Sequence, residues 1–317
     1  GLLTIRDLRD ARAGAEVRAV HEGGPAAAAG IRAGDRITEL NAAKVDDRFD
    51  LFAQLAAVDP GATVTLTVSR DGKSQTIDVQ TAALSDPEFA RFATKDLPPA
   101  VQTPDNAPPG SLDVGQFELQ VPAHDNRATV WVPDDYHPDL SYGIVVWLHA
   151  GGADVTDEFV AEWQDDCAAQ QLLFLAPLAA DRNRWARTDF EFAAAAVEQL
   201  QARYHVDPTR IVAVGAETGG AVAFALAFRR RELFRAAATF DASIPGPPPE
   251  NVPEYRTSFF VASSAGEAPR AIMESTAATL EKLRYPVLTE ASDDDAAVES
   301  LDVRQRLMLW IDTLDRI

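Results

Sequence analysis

The sequence predicts two domains: a small β-rich domain, followed by an α/β domain built on a doubly wound, mostly parallel sheet. Its 317 residues suffice for about two domains of ordinary size. Residues 1–82 contain runs in which apolar and polar residues alternate, the pattern of half-buried strands. Beyond residue 111, continuous apolar runs alternate with amphipathic segments, as in a parallel sheet with helices on both faces. Five prolines within 97–110 indicate an extended, stiff linker, which we place at 83–110.

The first domain, residues 1–82, is predicted from its strands and turns. The runs 16–20 and 63–68 alternate and predict strands. Asp71-Gly72 suits the tight turn of a hairpin whose return strand spans 74–80. The segment 48–58 predicts a short helix.

The second domain, residues 111–317, begins with a predicted hairpin of the strands 114–121 and 127–132. The predicted strands of the main sheet are 143–148, 172–176, 210–214, 236–240, 258–262 and 287–290. The predicted helices are 157–170, 189–204, 218–229, 268–283 and 298–314. Their alternation along the chain predicts the mostly parallel sheet.

A glycine- and alanine-rich motif marks the first domain. Residues 23–35 read G-x-P-A-x-x-A-G-I-x-x-G-D, and residues 1–5 precede them as Gly-Leu-Leu-Thr-Ile. With Leu40-Asn41 and the turns at 59–61 and 70–73, this order resembles a PDZ domain of the type found in bacterial HtrA-like serine proteases. The resemblance implies peptide binding by β-augmentation, in which loop amides capture a terminal carboxylate.

The same resemblance assigns the peptide-binding residues. The capturing loop is Leu3-Thr4-Ile5, in which Thr4 stands where the family usually has glycine. The helix at 48–58 flanks the groove, and Phe52, or alternatively Phe49, lines the side-chain pocket. The alternative for Phe52 is a place in the apolar core. We expect the partners to be protein C-termini or extended peptide segments.

The segment 212–223 runs from an apolar strand through Gly215-Ala216-Glu217-Thr218-Gly219 into a helix of small residues. This spacing resembles the nucleophile elbow of α/β-hydrolases, G-x-S-x-G, with Glu217 in place of the serine. After the strand at 143–148, His149-Ala150-Gly151-Gly152 resembles the oxyanion loop of esterases. The resemblance covers nearly all of residues 111–317. It implies that the oxyanion amides lie at Ala150, Gly151, Gly152 and Thr218.

The other triad members are missing from their places. In α/β-hydrolases the acid and the histidine follow the nucleophile along the chain. All five histidines (His21, His124, His137, His149 and His205) precede Glu217. Glu267 is the nearest candidate acid, and the stretch 291–295, where the histidine is expected, has no imidazole. Without a base beside it no hydroxyl is activated, so we expect no serine-esterase chemistry and a catalytically inactive domain.

Three hypotheses about the role of Glu217 remain open. Its carboxylate sits where a helix begins and would fill the oxyanion site by accepting hydrogen bonds from the amides there. Alternatively, the domain is a hydrolase with a non-standard site centred on Glu217, for which His149 is the nearest partner. His149 would otherwise only orient the loop backbone. A third reading is a domain that binds an ester or lipid without turning it over.

Composition excludes several other functions. A net charge of −20 repels phosphate backbones, so we expect no nucleic-acid binding. No apolar run reaches the roughly 18–20 residues needed to span a bilayer. Cys167 is the sole cysteine, and the histidines show no metal-ligand spacing, so we expect neither metal nor cofactor. Because Gly1 starts directly at a functional loop, we expect a longer protein. The resemblance implies an upstream protease domain and favours a periplasmic or extracytoplasmic location.

Overall fold

The computed structural model describes residues 1–6, 13–82, 100, 112–252, 255, 257–298 and 300–316. The chain divides into two compact units. The first comprises Gly1–Ala107 together with Asp315–Ile317, and the second comprises Pro108–Leu314. The predicted linker at 83–110 lies outside the described residues except for Ala100.

The first unit is built on an antiparallel sheet with the strand order β1-β2-β3-β5-β6, in which β4 pairs with β3. The elements are β1 Leu2–Thr4, β2 Ala15–Val20, α1 Pro25–Ala28, β3 Arg36–Leu40, β4 Ala43–Lys44, α2 Arg48–Ala56, β5 Thr63–Arg70 and β6 Lys73–Gln80. Strand β1 lies at one end of this order. Helix α2 begins where the Asp47 carboxylate accepts a hydrogen bond of 2.8 Å from the Asp50 amide, and it buries Leu51 in the core.

Two tight turns shape this sheet, and the sequence predicted one of them. Asp71 and Gly72 both have positive φ, which fits the expected hairpin between β5 and β6. Asn41 and Ala42, with φ of 49° and 66°, form a second such turn between β3 and β4. The usual signal for it is glycine at the second position, and Ala42 does not provide that signal.

The second unit contains an eight-stranded sheet of order β14-β13-β12-β11-β9-β10-β8-β7. Strands β9 to β14 pair in parallel, and β8 and β7 extend the sheet with antiparallel pairs. This is the predicted doubly wound, mostly parallel sheet. The strands are β7 Gly115–Gln120, β8 Arg127–Val132, β9 Tyr142–Leu148, β10 Leu172–Pro177, β11 Val206–Ala216, β12 Ala236–Phe240, β13 Ser258–Ser263 and β14 Val287–Ala291. The helices are α3 Asp157–Ala169, α4 Arg187–Arg203, α5 Glu217–Arg229, α6 Glu267–Lys282 and α7 Leu301–Asp312.

The central strands position the candidate site. Strands β9, β10, β12 and β13 are buried along their whole lengths, because helices cover both sheet faces. Parallel strands end at the same edge, so the residues that follow them meet there. These residues are His149 after β9, Glu217 after β11, Asp241 after β12 and Ser264 after β13. In the described part of the chain, no helix is both long and apolar enough to cross a membrane.

Cys167 provides a test of the packing of α3 on this sheet. Its side chain is fully buried, and desolvation raises the pKa of the thiol. Only the thiolate reacts readily, so we expect no modification by 5,5′-dithiobis(2-nitrobenzoic acid) in the folded protein at pH 8. One equivalent should react after unfolding in guanidinium chloride. Fast, stoichiometric labelling without denaturant would contradict this packing.

Candidate functional site

The turn from β11 into α5 has the backbone of a nucleophile elbow. Glu217 has φ of 51°, a conformation that is uncommon for a residue with a Cβ and costs about 1–2 kcal/mol. The neighbouring glycines explain why the chain adopts it. A Cβ on Gly219 would lie 1.9 Å from the carbonyl oxygen of Leu148, and one on Gly215 would lie 2.5 Å from the carbonyl carbon of Gly219. Helix and strands approach so closely here that side chains at these positions are excluded.

The Glu217 side chain does not fill the oxyanion site. It is exposed, and no donor among the described residues forms a hydrogen bond with its carboxylate. The expectation that Glu217 would bind the oxyanion amides is therefore wrong. The positive φ directs this side chain out of the turn toward solvent.

Thr218, and not Glu217, accepts a hydrogen bond from an amide of the oxyanion loop. The Gly151 amide donates a hydrogen bond of 2.8 Å to Thr218 Oγ1. The resemblance assigned a role only to the backbone amide of Thr218. A Cβ at residue 151 would lie 3.6 Å from Thr218 Oγ1, an ordinary contact, so this hydrogen bond does not itself require glycine there. The Gly151 amide, which the resemblance places among the oxyanion donors, is thus already paired within the chain.

His149 is a buried structural residue at the start of the same loop. Its Nε2 accepts a hydrogen bond of 3.2 Å from the Ala179 amide, and its Nδ1 lies 2.9 Å from the carbonyl oxygen of Ala150. An accepting Nε2 requires the proton on Nδ1, which then donates to Ala150. The ring also packs against Trp185, whose Nε1 donates to the His149 carbonyl. Both ring nitrogens are engaged, so His149 orients the loop and has no nitrogen available for proton transfer.

The turn at 181–185 holds the other side of the oxyanion loop. The Gly152 amide donates to the carbonyl oxygen of Arg182 at 2.8 Å. A Cβ on Gly151 would lie 2.9 Å from the carbonyl oxygen of Asn183. An ion pair between Arg182 and Asp154 joins the same two segments. The loop is therefore fixed by contacts within the second unit.

Glu267 is the candidate triad acid from the sequence. That residue is exposed at the first turn of α6. Asp241, which directly follows β12, forms hydrogen bonds with the loop after β13. It has φ of 51°, and its carboxylate accepts from the amide of Ser264 at 2.7 Å and from the Ser264 hydroxyl. The Ser264 hydroxyl in turn accepts from the Ala297 amide at 2.8 Å. Sequence analysis missed Ser264, whose only signal was a small polar residue directly after a buried strand.

The stretch expected to carry the histidine forms a closed turn. Ser292 is buried, and its amide donates to the carbonyl oxygen of Ser263 at 2.8 Å. Its hydroxyl accepts from the Asp294 amide at 3.0 Å. The segment after β14 is thus packed through its own backbone and supplies no base.

The first unit places the expected peptide-binding residues on β1 and α2. Leu3 and Thr4 are buried and pair with β2. The amide of Ile5 donates to the carbonyl oxygen of Glu16 at 2.8 Å, so it does not point to the free edge as carboxylate capture requires. Phe52 is half-buried on α2 beside the fully buried Leu51.

Comparison with known proteins identifies the folds. A family model described as "PDZ domain" matches residues 3–81. This segment is a PDZ domain. It is similar to a probable periplasmic serine endoprotease DegP-like of Bartonella henselae, at 42% identity over 72 residues, which cover 23% of this chain and 14% of that protein. A protein of the same description from Rhizobium meliloti is 39% identical over 132 residues, 41% of this chain and 25% of that protein. The chain therefore matches only a minor part of the length of these relatives.

The second unit has the α/β-hydrolase fold. A model described as "Prolyl oligopeptidase family" matches residues 179–244, which include the elbow. The structure is similar to that of an alpha/beta hydrolase enzyme from a Medee basin deep-sea metagenome library. The match has a TM-score of 0.52 and 15% identity, and it covers 64% of this chain and 98% of that chain. The predicted pairing of a PDZ domain with an α/β-hydrolase fold is confirmed.

The hydrogen bond between Gly151 and Thr218 can be tested directly. In Thr218→Val the hydroxyl acceptor is lost at nearly constant volume, whereas Thr218→Ser retains it. A hydrogen bond worth about 1 kcal/mol predicts roughly fivefold faster amide hydrogen exchange at Gly151 in the valine variant, and little change in the serine variant. Exchange is measured residue by residue by NMR. Equal exchange in all three proteins would show that the Gly151 amide is not bound to Thr218.

Proposed function

We propose that this chain recruits extended peptides through its PDZ domain, and that its α/β-hydrolase unit is a non-catalytic scaffold or interaction module. Serine-type acyl transfer needs a nucleophile, a base and free oxyanion donors. The chain has glutamate at the nucleophile position and no histidine after it. The observation that carries the proposal is the Gly151 amide, which donates to Thr218 and is not left open for a substrate.

A glutamate-based hydrolase is less well supported. Attack by the Glu217 carboxylate would form an anhydride, and water would then have to be activated to cleave it. The ring nitrogens of His149 are both engaged, and Glu267 is exposed at the start of α6. No observation within the described residues favours this second candidate.

The relatives suggest where such a protein works. Their printed description, probable periplasmic serine endoprotease DegP-like, supports the proposal that the PDZ domain acts outside the cytoplasm. We further propose that it recruits substrates for a protease domain within a longer protein. In this scheme the α/β-hydrolase unit adds a second, non-catalytic surface.

Hydrolysis of p-nitrophenyl acetate tests the non-catalytic assignment. We expect no turnover above buffer by the unchanged chain or by Glu217→Ser, because neither has a base. The informative proteins combine Glu217→Ser and Thr218→Ala with histidine at position 292, 293 or 294 in turn. The first change supplies a nucleophile, the second frees the Gly151 amide, and the third supplies an imidazole after β14.

We expect measurable turnover only in this last set of variants. That result would show that the scaffold is intact and that only the catalytic side chains are missing. The matched control carries the same histidine with Glu217 and Thr218 unchanged. Turnover by the unmodified chain that is lost in Glu217→Ala, with trapping of a glutamyl hydroxamate by hydroxylamine, would establish a glutamate-based enzyme instead.

A further inference from the structure

A buried carboxylate lies between two arginines in the first unit. Asp315 Oδ2 accepts a hydrogen bond of 2.9 Å from Arg6 Nε and another of 3.2 Å from Arg48 Nη1. All three residues are buried: Arg6 is 1% exposed, Arg48 is 6% exposed and Asp315 is 3% exposed. We propose that Arg6 and Arg48 form a subsite of the PDZ peptide site that takes a peptide carboxylate, and that Asp315 of the same chain occupies it. This inference rests on the peptide binding proposed above.

The position of Arg6, two residues after strand β1, links the subsite to peptide binding. Strand β1 is at the end of the sheet order, and among the described residues no strand pairs with its outer edge. The Ile5 amide points inward to Glu16, and the next amide, that of Arg6, donates to the carbonyl oxygen of Ala100 at 2.7 Å. An amide that follows an edge strand and binds the carbonyl of another segment makes the kind of contact used in β-augmentation. Ala100 of the chain itself therefore pairs with the amide beside which an added peptide would lie.

Arg48 places the subsite at the other wall of the groove. It is the first residue of α2, the helix that flanks the groove in the predicted binding mode. Arg6 extends from the segment just after the edge strand and Arg48 from the helix, and both contact one carboxylate oxygen. A ligand lying between strand and helix would meet both guanidinium groups.

The chemistry of the subsite favours a carboxylate over an amide. Guanidinium groups donate but cannot accept, and hydrogen bonds to a charged acceptor are about twice as strong as neutral ones. Two buried cations without an anion would pay a large desolvation penalty. An uncharged asparagine or glutamine side chain offers a weaker acceptor in the same volume.

Asp315 fills the subsite incompletely, which makes it displaceable. Its Oδ1 is buried and has no hydrogen-bond partner among the described residues. Such an unsatisfied oxygen is unfavourable, since a buried acceptor without a donor costs about 1–3 kcal/mol. A peptide carboxylate that accepts hydrogen bonds from the guanidinium groups through both of its oxygens would bind more favourably than Asp315, which uses one oxygen. It must still compete with an intramolecular residue whose effective concentration is of millimolar order.

The test uses the whole chain and fluorescence anisotropy at about 150 mM salt. The probe is a fluorescein-labelled peptide of the chain's own residues 310–317, Trp-Ile-Asp-Thr-Leu-Asp-Arg-Ile. A second peptide has asparagine at the position of Asp315. A third has asparagine at the position of Asp312 and serves as the control of equal net charge. Each is made with a free and with an amidated C-terminus, which separates a side-chain carboxylate from a terminal one.

The protein variants remove either the occupant or the subsite. We expect Asp315→Asn to bind the first and third peptides at least tenfold more tightly than the unchanged chain. Adding Arg48→Gln should abolish that gain, and Arg48→Lys in its place should preserve most of it because the charge remains. Asp302→Asn, an exposed site at the first turn of α7, and Arg32→Gln, an exposed arginine, are the matched controls and should have no effect.

The outcomes separate this inference from the proposed function. The peptide with asparagine at 315 has no carboxylate at that position. If it binds as tightly as the others when its C-terminus is free, but not when it is amidated, and if this binding needs Arg48, the subsite takes the terminal carboxylate of the peptide. If affinity is the same for every peptide and unaffected by Asp315→Asn and Arg48→Gln, the inference is overturned while peptide binding stands. If no peptide binds to any variant, the proposed peptide-binding function itself is overturned.

Discussion

The second unit depends on the close approach of helix α5 to strand β9. A Cβ at position 219 would lie 1.9 Å from the carbonyl oxygen of Leu148, a separation that no side chain tolerates. Glycine is therefore required there, and the same crowding excludes a side chain from Gly215. The turn between strand and helix is then so tight that residue 217 adopts a positive φ. The elbow is a consequence of packing and remains whether or not residue 217 performs chemistry.

The loop at 149–152, which contacts this elbow, is held by several hydrogen bonds. An active oxyanion loop must leave amides unpaired until substrate arrives, which is unfavourable in the free enzyme. In this chain the Gly151 amide is bound to Thr218, and the amide of Gly152 is bound to Arg182. His149 is held on both ring nitrogens. Each of these bonds satisfies a polar group of the loop, so contacts within the chain hold the loop in place.

The sequence predicted the features that depend on local pattern. Continuous apolar runs predicted the buried strands of the parallel sheet, and glycine spacing predicted the elbow at 215–219. Asp71-Gly72 predicted one hairpin because its chemistry matches the turn. The turn at Asn41-Ala42 was missed since alanine rarely adopts its φ of 66°.

Features that depend on long-range packing could not be predicted. The side chain of Thr218 reaches Gly151 only because two loops distant in sequence come together. The hydrogen bonds between Asp241 and Ser264 likewise join residues that lie 23 positions apart. The pair Arg6 and Asp315 is separated by 309 positions, and nothing in either local sequence indicates the other.

The unfolding free energies of Glu217→Gly and Glu217→Ala test the central constraint most directly. In an ordinary helix, alanine is more stable than glycine by about 0.5–1 kcal/mol. At an elbow held at positive φ the order reverses, because a Cβ there costs about 1–2 kcal/mol. We predict that the glycine variant is the more stable of the two by roughly 0.5–1 kcal/mol in guanidinium titrations. An alanine variant as stable as the glycine variant, or more stable, would contradict a packing-enforced elbow in this protein.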